Sequence, residues 1–162
     1  MINLFNDYKK YKWFFTSSGK LVVGGKSAEQ NDELLKRIKK EGNDFFIMHT
    51  AEPGSPFTVI LTEAIQVNKK DLEECAVFTA CFSRAWRSGK RKSSVDLFRA
   101  SSLHKDSKMK TGTWSVLGRV IQKKVELKLV LTEQNGVLRA VPEQSAKRNA
   151  FDEIKLKPGR ID

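Results

Sequence analysis

The sequence predicts an α+β fold: an N-terminal β-hairpin, two main helices and a bent, mostly antiparallel sheet. Three observations support this prediction. A hairpin signal opens the chain, two segments repeat apolar residues at helical spacing, and the second half consists of short β-forming runs separated by turn residues. With 162 residues the chain has the length of one domain, and we expect a single domain over residues 1–162.

The first predicted elements are a hairpin and a capped helix. Residues 13–16 and 21–23 are β-formers on either side of a Ser-Ser-Gly turn, which is typical of two paired strands. Ser27 followed three residues later by Gln30 has the pattern of a capping box, and it predicts a helix that ends near Gly42.

Two strands and a longer helix are predicted next. Residues 44–49 and 57–61 are short apolar runs on either side of a loop with two prolines, and we expect both to form buried strands. Asn68 can cap a second helix, because apolar residues then recur at three- and four-residue spacing through Trp86. This helix is predicted to end at Ser88-Gly89.

The remainder is predicted to be mostly antiparallel sheet. The expected strands are residues 94–99, 113–117, about 119–132, 137–141 and 153–156, with a helical turn at 146–150 before the last strand. Asn135-Gly136 is the signal of a type I′ turn, so the strands on either side of it should pair as a hairpin.

Positive charge is concentrated in the middle of the chain. The formal net charge is +11, and residues 84–128 contain 13 Lys or Arg against three Asp or Glu, whereas the other residues contain 17 against 16. Such self-repulsion destabilises a fold, and a polyanion would neutralise it with release of counterions. RNA or DNA is the first candidate partner. The alternatives are a solvated lysine-rich face and, with less support, an anionic membrane surface.

Several other classes of protein are not indicated. The sequence has no run of about 20 apolar residues and no basic-then-apolar leader, so we expect a cytoplasmic protein without a membrane span. Cys75 and Cys81 are expected to be reduced, small apolar side chains. Neither a metal-ligand spacing nor a nucleotide-binding glycine motif is present, and we expect no metal and no cofactor.

Each candidate site residue has two interpretations. His49 follows an apolar run and could act as an acid or base or contact phosphate, or it could be a half-buried histidine bonded to a loop carbonyl. His104 could contact phosphate or be solvated. Lys26 precedes a capped helix N-terminus, which suits an anion, but Gly24-Gly25-Lys26 could equally be a tight turn.

Five cations lie within nine residues at the end of the second predicted helix. They are Arg84, Arg87, Lys90, Arg91 and Lys92. Cations at this position also complement the helix dipole, so part of the cluster can be structural. Trp86 falls on the apolar face and is expected in the core, whereas Trp114 could pack in the core or stack on a base.

An ordered set of short motifs resembles a known family. The motifs are Trp13…Ser17-x-Gly19, Gly25-Lys26-x-x-x-Gln30-Asn31, Asp44…His49-x-x-x-Pro53-Gly54-Ser55, Ser83-x-Ala85-Trp86 and Lys110-Thr111-Gly112. Together they resemble the NFACT-R domain, the RNA-binding-type domain of the NFACT ribosome quality-control factors, over residues 13–159. The resemblance implies a functional surface made of Lys26, Gln30, Asn31, His49, Gly54, Ser55, Lys108, Lys110 and Gly112.

The sequence also departs from the family pattern. Pro56 stands where family members often have a histidine or a small residue, and residues 107–112 are shorter than in the multidomain forms. The multidomain proteins also carry an N-terminal helix-hairpin-helix-containing region and a coiled coil. Because this sequence has neither, it is expected to be the free-standing form of the domain.

We therefore expect a non-catalytic RNA-binding module for structured RNA, either tRNA or ribosomal RNA, read by shape, since no RRM-type or KH-type motif is present. The predicted RNA-binding residues are Lys26, Gln30, Asn31, His49, Gly54, Ser55, Arg84, Arg87, Lys90, Arg91, Lys92, His104, Lys105, Lys108 and Lys110. One alternative is an RNA-processing or RNA-modifying enzyme with His49 as acid or base and Lys26 or Lys108 stabilising negative charge. Another is an adaptor that binds an acidic protein partner.

Overall fold

The computed structural model describes residues 5–146 and 154–157. The strands are β1 (Lys12–Phe15), β2 (Leu21–Gly24), β3 (Phe46–Thr50), β4 (Thr58–Ile60), β5 (Lys92–Arg99), β6 (Leu103–His104), β7 (Ser115–Val116), β8 (Ile121–Glu126), β9 (Leu129–Gln134), β10 (Val137–Pro142) and β11 (Ile154–Lys155). The helices are α1 (Ala28–Glu41), α2 (Lys69–Cys81) and the single turn α3 (Arg84–Arg87).

Most strands belong to one antiparallel sheet in the order β1-β2-β4-β3-β5-β8. A smaller sheet has the order β10-β9-β11, and β6 pairs with β7. At the β9–β10 turn, Asn135 and Gly136 both have positive φ, as a type I′ turn requires. The α+β class and the two predicted hairpins are confirmed.

The two long helices cover opposite faces of the six-stranded sheet. Leu34 and Ile38 of α1 pack with Ile47 of β3, whereas Phe78 of α2 packs with Met48, the next residue of the same strand. Successive side chains of a strand point to opposite faces, so the helices must lie on different sides. The sequence patterns of both helices are thereby explained, because each apolar stripe is buried.

The helix caps follow the sequence closely. The Ser27 hydroxyl accepts the Gln30 N–H at 3.1 Å, and α1 ends at Gly42 in a left-handed conformation with φ of 75°. At the start of α2, Asn68 and Asp71 each accept the other's backbone N–H, at 2.8 and 3.0 Å. Both predicted helix starts are confirmed.

Two elements predicted as continuous are divided in the structure. The second helix does not run through Trp86: α2 ends at Cys81, because the Ser83 hydroxyl donates to the Ala80 carbonyl and accepts the Ala85 N–H, which starts α3 as a new turn. The long strand predicted at about 119–132 is two strands. Its first part pairs with β5 only as far as the Glu126–Lys92 pair, after which the chain crosses to the smaller sheet.

Other predictions about the second half change in detail. The strand expected at 113–117 forms only the two residues of β7, while Leu117 bonds through its N–H to the Ser102 carbonyl at 2.7 Å. The helical turn expected at 146–150 lies outside the described residues beyond Ala146. A short 3₁₀ turn precedes it at Glu143–Ser145.

The smaller sheet covers the free edge of β1. The Gln134 side chain accepts the Phe15 N–H at 2.7 Å and donates to the Phe15 carbonyl at 2.9 Å, as a neighbouring strand would. Arg139 donates to the Trp13 carbonyl at 2.9 Å and lies 4.2 Å from the centre of its indole ring. These contacts satisfy edge groups that could otherwise pair with another chain.

A buried carboxylate on α2 bonds to the N-terminal hairpin turn and to the segment after β10. Glu74 is 1% exposed and accepts three hydrogen bonds, from the Ser17 N–H, the Ser17 hydroxyl and the Ser145 hydroxyl, each at 2.7 Å. The hairpin turn and the segment after β10 are thus held to the same helix.

We expect Glu74→Gln to lower the free energy of unfolding by about 1–3 kcal/mol, because an amide N–H₂ then faces groups that donate to the carboxylate. Glu73→Gln is the matched control, since Glu73 is exposed on the same helix. Urea denaturation of both variants measures the effect. Equal stability of the two variants would show that the Glu74 contacts are not important for the fold.

Candidate nucleic-acid interface

A groove of about 880 Å³ opens at one end of the six-stranded sheet. The antiparallel order brings the start of β1, the end of β2, the start of β4 and the end of β3 to this end. One wall consists of the loop at residues 53–56 together with α3, and another of residues 111–114. The groove is therefore built from segments that are distant in sequence.

Four cations line this groove, and we call them the groove cations. They are Lys12, Lys26, Arg84 and Arg87. One carboxylate, Asp96, also lines it, and its Oδ1 accepts from the Gln122 amide at 3.3 Å. Three groove cations are exposed and Lys12 is half-buried.

The groove cations have no carboxylate partner among the described residues, although many other cations do. The ion pairs lie elsewhere: Lys10 with Asp7 and Glu33, Lys20 with Asp71, Arg37 with Asp7, Lys90 with Glu52, Arg99 with Asp44, Lys105 with Asp32 and Lys128 with Glu143. These acidic residues thus pair with cations outside the set of groove cations, and the groove cations remain available to an anion.

Lys12 is a groove residue that the sequence analysis missed. Its ammonium lies 4.3 Å from the centre of the Phe82 ring. Burial lowers the pKa of Lys12, and the charges of Lys26, Arg87 and Arg139 lower it further. Its position directly opposite Gly24 in the hairpin, beside Gly25-Lys26, is the signal that could have revealed it.

The turn that carries Lys26 is fixed by two predicted site residues. Gln30 accepts the Lys26 N–H at 2.8 Å and donates to the Lys10 carbonyl at 3.1 Å. Asn31 is buried, and its Oδ1 accepts the Phe57 N–H at 3.2 Å. A Cβ at Gly25 would lie 2.0 Å from that oxygen, so only glycine fits. The Gln30 and Asn31 side chains position Lys26 through these bonds.

The loop with Gly54 and Ser55 positions Arg84. Gly54 has φ of 99°, and a Cβ there would lie 2.6 Å from the Arg84 side chain. The Gly54 carbonyl accepts the Arg84 N–H at 3.0 Å, while the Ser55 hydroxyl accepts the Thr50 N–H at 3.0 Å. The loop is therefore closed on β3 and lies directly against the first residue of α3.

His49 lines the groove as a half-buried, hydrogen-bonded histidine. Its Nδ1 lies 2.7 Å from the Thr50 carbonyl, which can only accept, so Nδ1 carries the hydrogen and Nε2 is an acceptor. Its ring packs on Phe57 with centroids 4.3 Å apart. Burial lowers the pKa of His49, although the Thr50 bond and Asp96 oppose this. The imidazole is neutral at pH 7 and adds no charge to the groove.

Residues 111–114 are held in place by Asp32. This carboxylate accepts from the Lys105 ammonium at 3.1 Å, the Gly112 N–H at 3.0 Å and the Trp114 indole at 2.9 Å. Burial raises the pKa of Asp32, but the bonds from Lys105 and Trp114 outweigh it and the net shift is downward. Gly112 also packs so closely on Ala28 that a Cβ would lie 2.7 Å from it.

Lys105 stabilises the loop at residues 105–114 and does not line the groove. Its ammonium donates to Asp32 and to the carbonyls of Lys110 and Thr113, at 2.8 and 2.9 Å. These bonds use its three N–H donors. The charge of Lys105 is thus directed to the inside of its own loop.

The remaining predicted residues do not line this groove. Lys90 and Lys92 line a second groove of about 640 Å³ with Lys124, and Arg84 borders both grooves. Arg91, His104, Lys108 and Lys110 are exposed and line neither groove. The groove therefore contains only part of the positive stretch at residues 84–128.

A comparison with protein families identifies the domain. A profile described as the NFACT protein RNA binding domain matches residues 10–118. The chain belongs to this family. The resemblance was expected to extend to residue 159, but the NFACT profile ends at Gly118, before β8 and the smaller sheet.

Curated proteins are similar to about half of this chain. The archaeal Rqc2 homolog aRqcH of Methanocaldococcus jannaschii is 39% identical over 82 residues, which is 51% of this chain and 12% of that protein. The human ribosome quality control complex subunit NEMF is 28% identical over 80 residues, which is 49% of this chain and 7% of that protein. The matched segment is thus about a tenth of the length of these relatives.

A solved structure has the same fold. The C-terminal part of the fibronectin/fibrinogen-binding protein from Streptococcus suis aligns with a TM-score of 0.59 and 24% identity, covering 72% of this chain and 44% of that chain. At this identity the likeness concerns the fold alone.

Other chemical features of the described residues are limited. They contain no cluster of three or more His, Cys, Asp or Glu that could hold a metal ion. No helix in residues 5–146 is long and apolar enough to cross a bilayer. Burial raises the pKa of the thiols of Cys75 and Cys81 to about 12, so neither is a nucleophile at neutral pH.

We expect His49 to make the stability of the protein depend on pH. Its pKa in the folded state lies below the ordinary 6.5, so the unfolded chain takes up its proton first as the pH falls. The contribution of His49 is complete above about pH 6.5 and is lost as the pH falls through the folded-state value.

Unfolding at about pH 7.5 and 5.5 measures this effect. His49→Gln should lose less stability than the wild type over this interval, and His104→Gln, which replaces an exposed histidine, is the matched control. A larger loss in His49→Gln than in the wild type would mean that the folded protein favours the imidazolium.

Proposed function

We propose that this chain is an RNA-binding module of ribosome quality control that binds structured RNA, either tRNA or ribosomal RNA, at the groove. The observation that supports the proposal most directly is the set of groove cations without carboxylate partners. Membership of an RNA-binding domain family gives the class of the anion, and the names of the relatives give the process.

The electrostatics of the groove favour a phosphate chain. Unpaired cations repel one another, and a polyanion that enters the groove offsets this repulsion. The counterions released from RNA add to the affinity. The groove cations come from β1, the β2–α1 turn and α3, so the fold brings together charges from three separate segments that can contact successive phosphates of folded RNA. His49 contributes a neutral hydrogen-bond acceptor to this array.

The proposal is for binding without catalysis. We expect a tRNA transcript incubated with the protein to stay intact and unmodified, as judged by gel electrophoresis and mass spectrometry. Turnover that disappears in His49→Gln while binding is retained would replace the proposal with an RNA-processing enzyme.

Removing a single groove cation should weaken binding to an unmodified tRNA transcript by roughly tenfold, as expected for one charged hydrogen bond. The variants are Lys12→Gln and Arg87→Gln. Each should also reduce the slope of log affinity against log salt by about one, because one fewer phosphate is neutralised. Fluorescence anisotropy between about 50 and 300 mM salt measures both quantities.

Lys36→Gln is the control for this experiment. Lys36 is exposed on α1 and does not line the groove, so this variant should bind as the wild type does. A salt-independent affinity of the wild type, or an equal loss in all three variants, would contradict an RNA interface at the groove.

A further inference from the structure

Aromatic side chains line the groove beside the groove cations. They are Phe57, Phe82, Trp86, Phe98 and Trp114. Trp86 belongs to α3 on one wall, and Trp114 belongs to the segment at residues 111–114 on another. Cations that follow a backbone and aromatic rings that stack on bases are the combination by which proteins bind single-stranded nucleic acid.

The two tryptophans differ in how far they are already engaged. The Trp114 indole donates to Asp32 at 2.9 Å, and the Lys105 ammonium lies 5.6 Å from the ring centre. The Trp86 indole N–H has no hydrogen-bond partner in the part of the chain that the structure describes, and its side chain is half-buried against the core around α2. The core thus fixes one side of the Trp86 side chain, and its indole N–H remains available to a ligand.

Trp86 is also adjacent to the positive charge. Arg87 follows it in α3, and Phe82, four residues earlier, carries the ammonium of Lys12 over its ring. Trp86, Arg87 and Lys12 all line the groove, an arrangement that suits a phosphate and the base of the same nucleotide. A sequence-based expectation placed Trp86 in the core, and the structure places it both against the core and in the groove.

The size of the groove limits the ligand. Its volume of about 880 Å³ falls within the range of about 300–1,000 Å³ that is typical of pockets for small ligands. A groove of this volume suits a nucleotide. In a duplex the faces of the bases are covered by stacking, so only unpaired nucleotides can present a face to an aromatic side chain.

We propose that the groove binds an unpaired nucleotide of the RNA, with its phosphate at Lys12, Lys26 and Arg87 and its base against Trp86. This inference rests on the proposed function and adds the class of RNA to it: structured RNA with a single-stranded end, rather than duplex alone. The duplex part of such an RNA would lie outside the groove, and the end would enter it.

Binding to matched RNA duplexes tests the inference. One duplex is blunt, two have a short single-stranded extension, one at the 5′ end and the other at the 3′ end, and two more have the same extensions without bases. Base stacking contributes about 1–3 kcal/mol, so one of the extended duplexes should bind at least about fivefold more tightly than the blunt duplex. The abasic extension, which keeps the phosphates, should bind more weakly than the complete one by about the same factor.

Variants of Trp86 locate the effect. Trp86→Ala should bind the complete and the abasic extension with equal affinity, while Trp86→Phe should keep most of the preference for the complete one. Circular dichroism melting checks that both variants fold. The comparison of the complete and abasic extensions uses the wild-type protein and does not depend on any variant.

The outcomes separate this inference from the proposed function. Equal affinity of the wild type for blunt, extended and abasic duplexes overturns the inference but leaves RNA binding intact. A preference for bases that persists in Trp86→Ala overturns the assignment to Trp86. Failure of tRNA and all the duplexes to bind overturns the proposed function, and the inference with it.

Discussion

The close contact between Gly25 and Asn31 is the constraint on which the groove depends. The Asn31 Oδ1 lies 2.0 Å from the place that a Cβ on residue 25 would occupy, and the same oxygen accepts the Phe57 N–H. This contact joins the end of β2, the first turn of α1 and the start of β4. Lys26 lies in the turn between these elements, and Lys12 faces Gly24 across the hairpin. A larger residue at position 25 would separate the three segments and with them the cations they carry.

The distribution of the carboxylates gives the groove its charge. Asp32 holds the segment at residues 111–114, Asp71 caps α2 and pairs with Lys20, and Glu74 holds the hairpin turn. Each acidic group is therefore part of the framework. None of these groups pairs with a groove cation, and the groove cations have no carboxylate partner among the described residues. Local pairing, more than the net charge of +11, makes this end of the sheet attractive to an anion.

The sequence predicts the local structure well and the grouping of charges only in part. Caps, the Asn-Gly turn and the helical stripes are local patterns, so Ser27, Asn68 and Asn135 indicate their elements correctly. Lys26, His49, Gly54 and Ser55, which the ordered motifs singled out, line one groove, and Arg84 from the predicted cation cluster lines it too. Lys12 was missed because it is distant in sequence from the positive stretch at residues 84–128. Arg84 and Arg87 are the members of that stretch that line the groove, whereas Lys105 pairs with Asp32, a contact between residues far apart in the chain. The break of the second helix at Ser83 likewise depends on tertiary structure, which favours the side-chain bonds of Ser83 over a continuous helix.

Amide chemical shifts recorded while a tRNA transcript is added test the central claim most directly, because they report every backbone position at once. The account predicts that the largest changes occur at Gly25, Lys26, Gly54, Arg84 and Gly112, which come from four separate segments and meet only at the groove. Changes confined to the exposed side of α1 around Lys36, or spread evenly over the surface lysines, would contradict it.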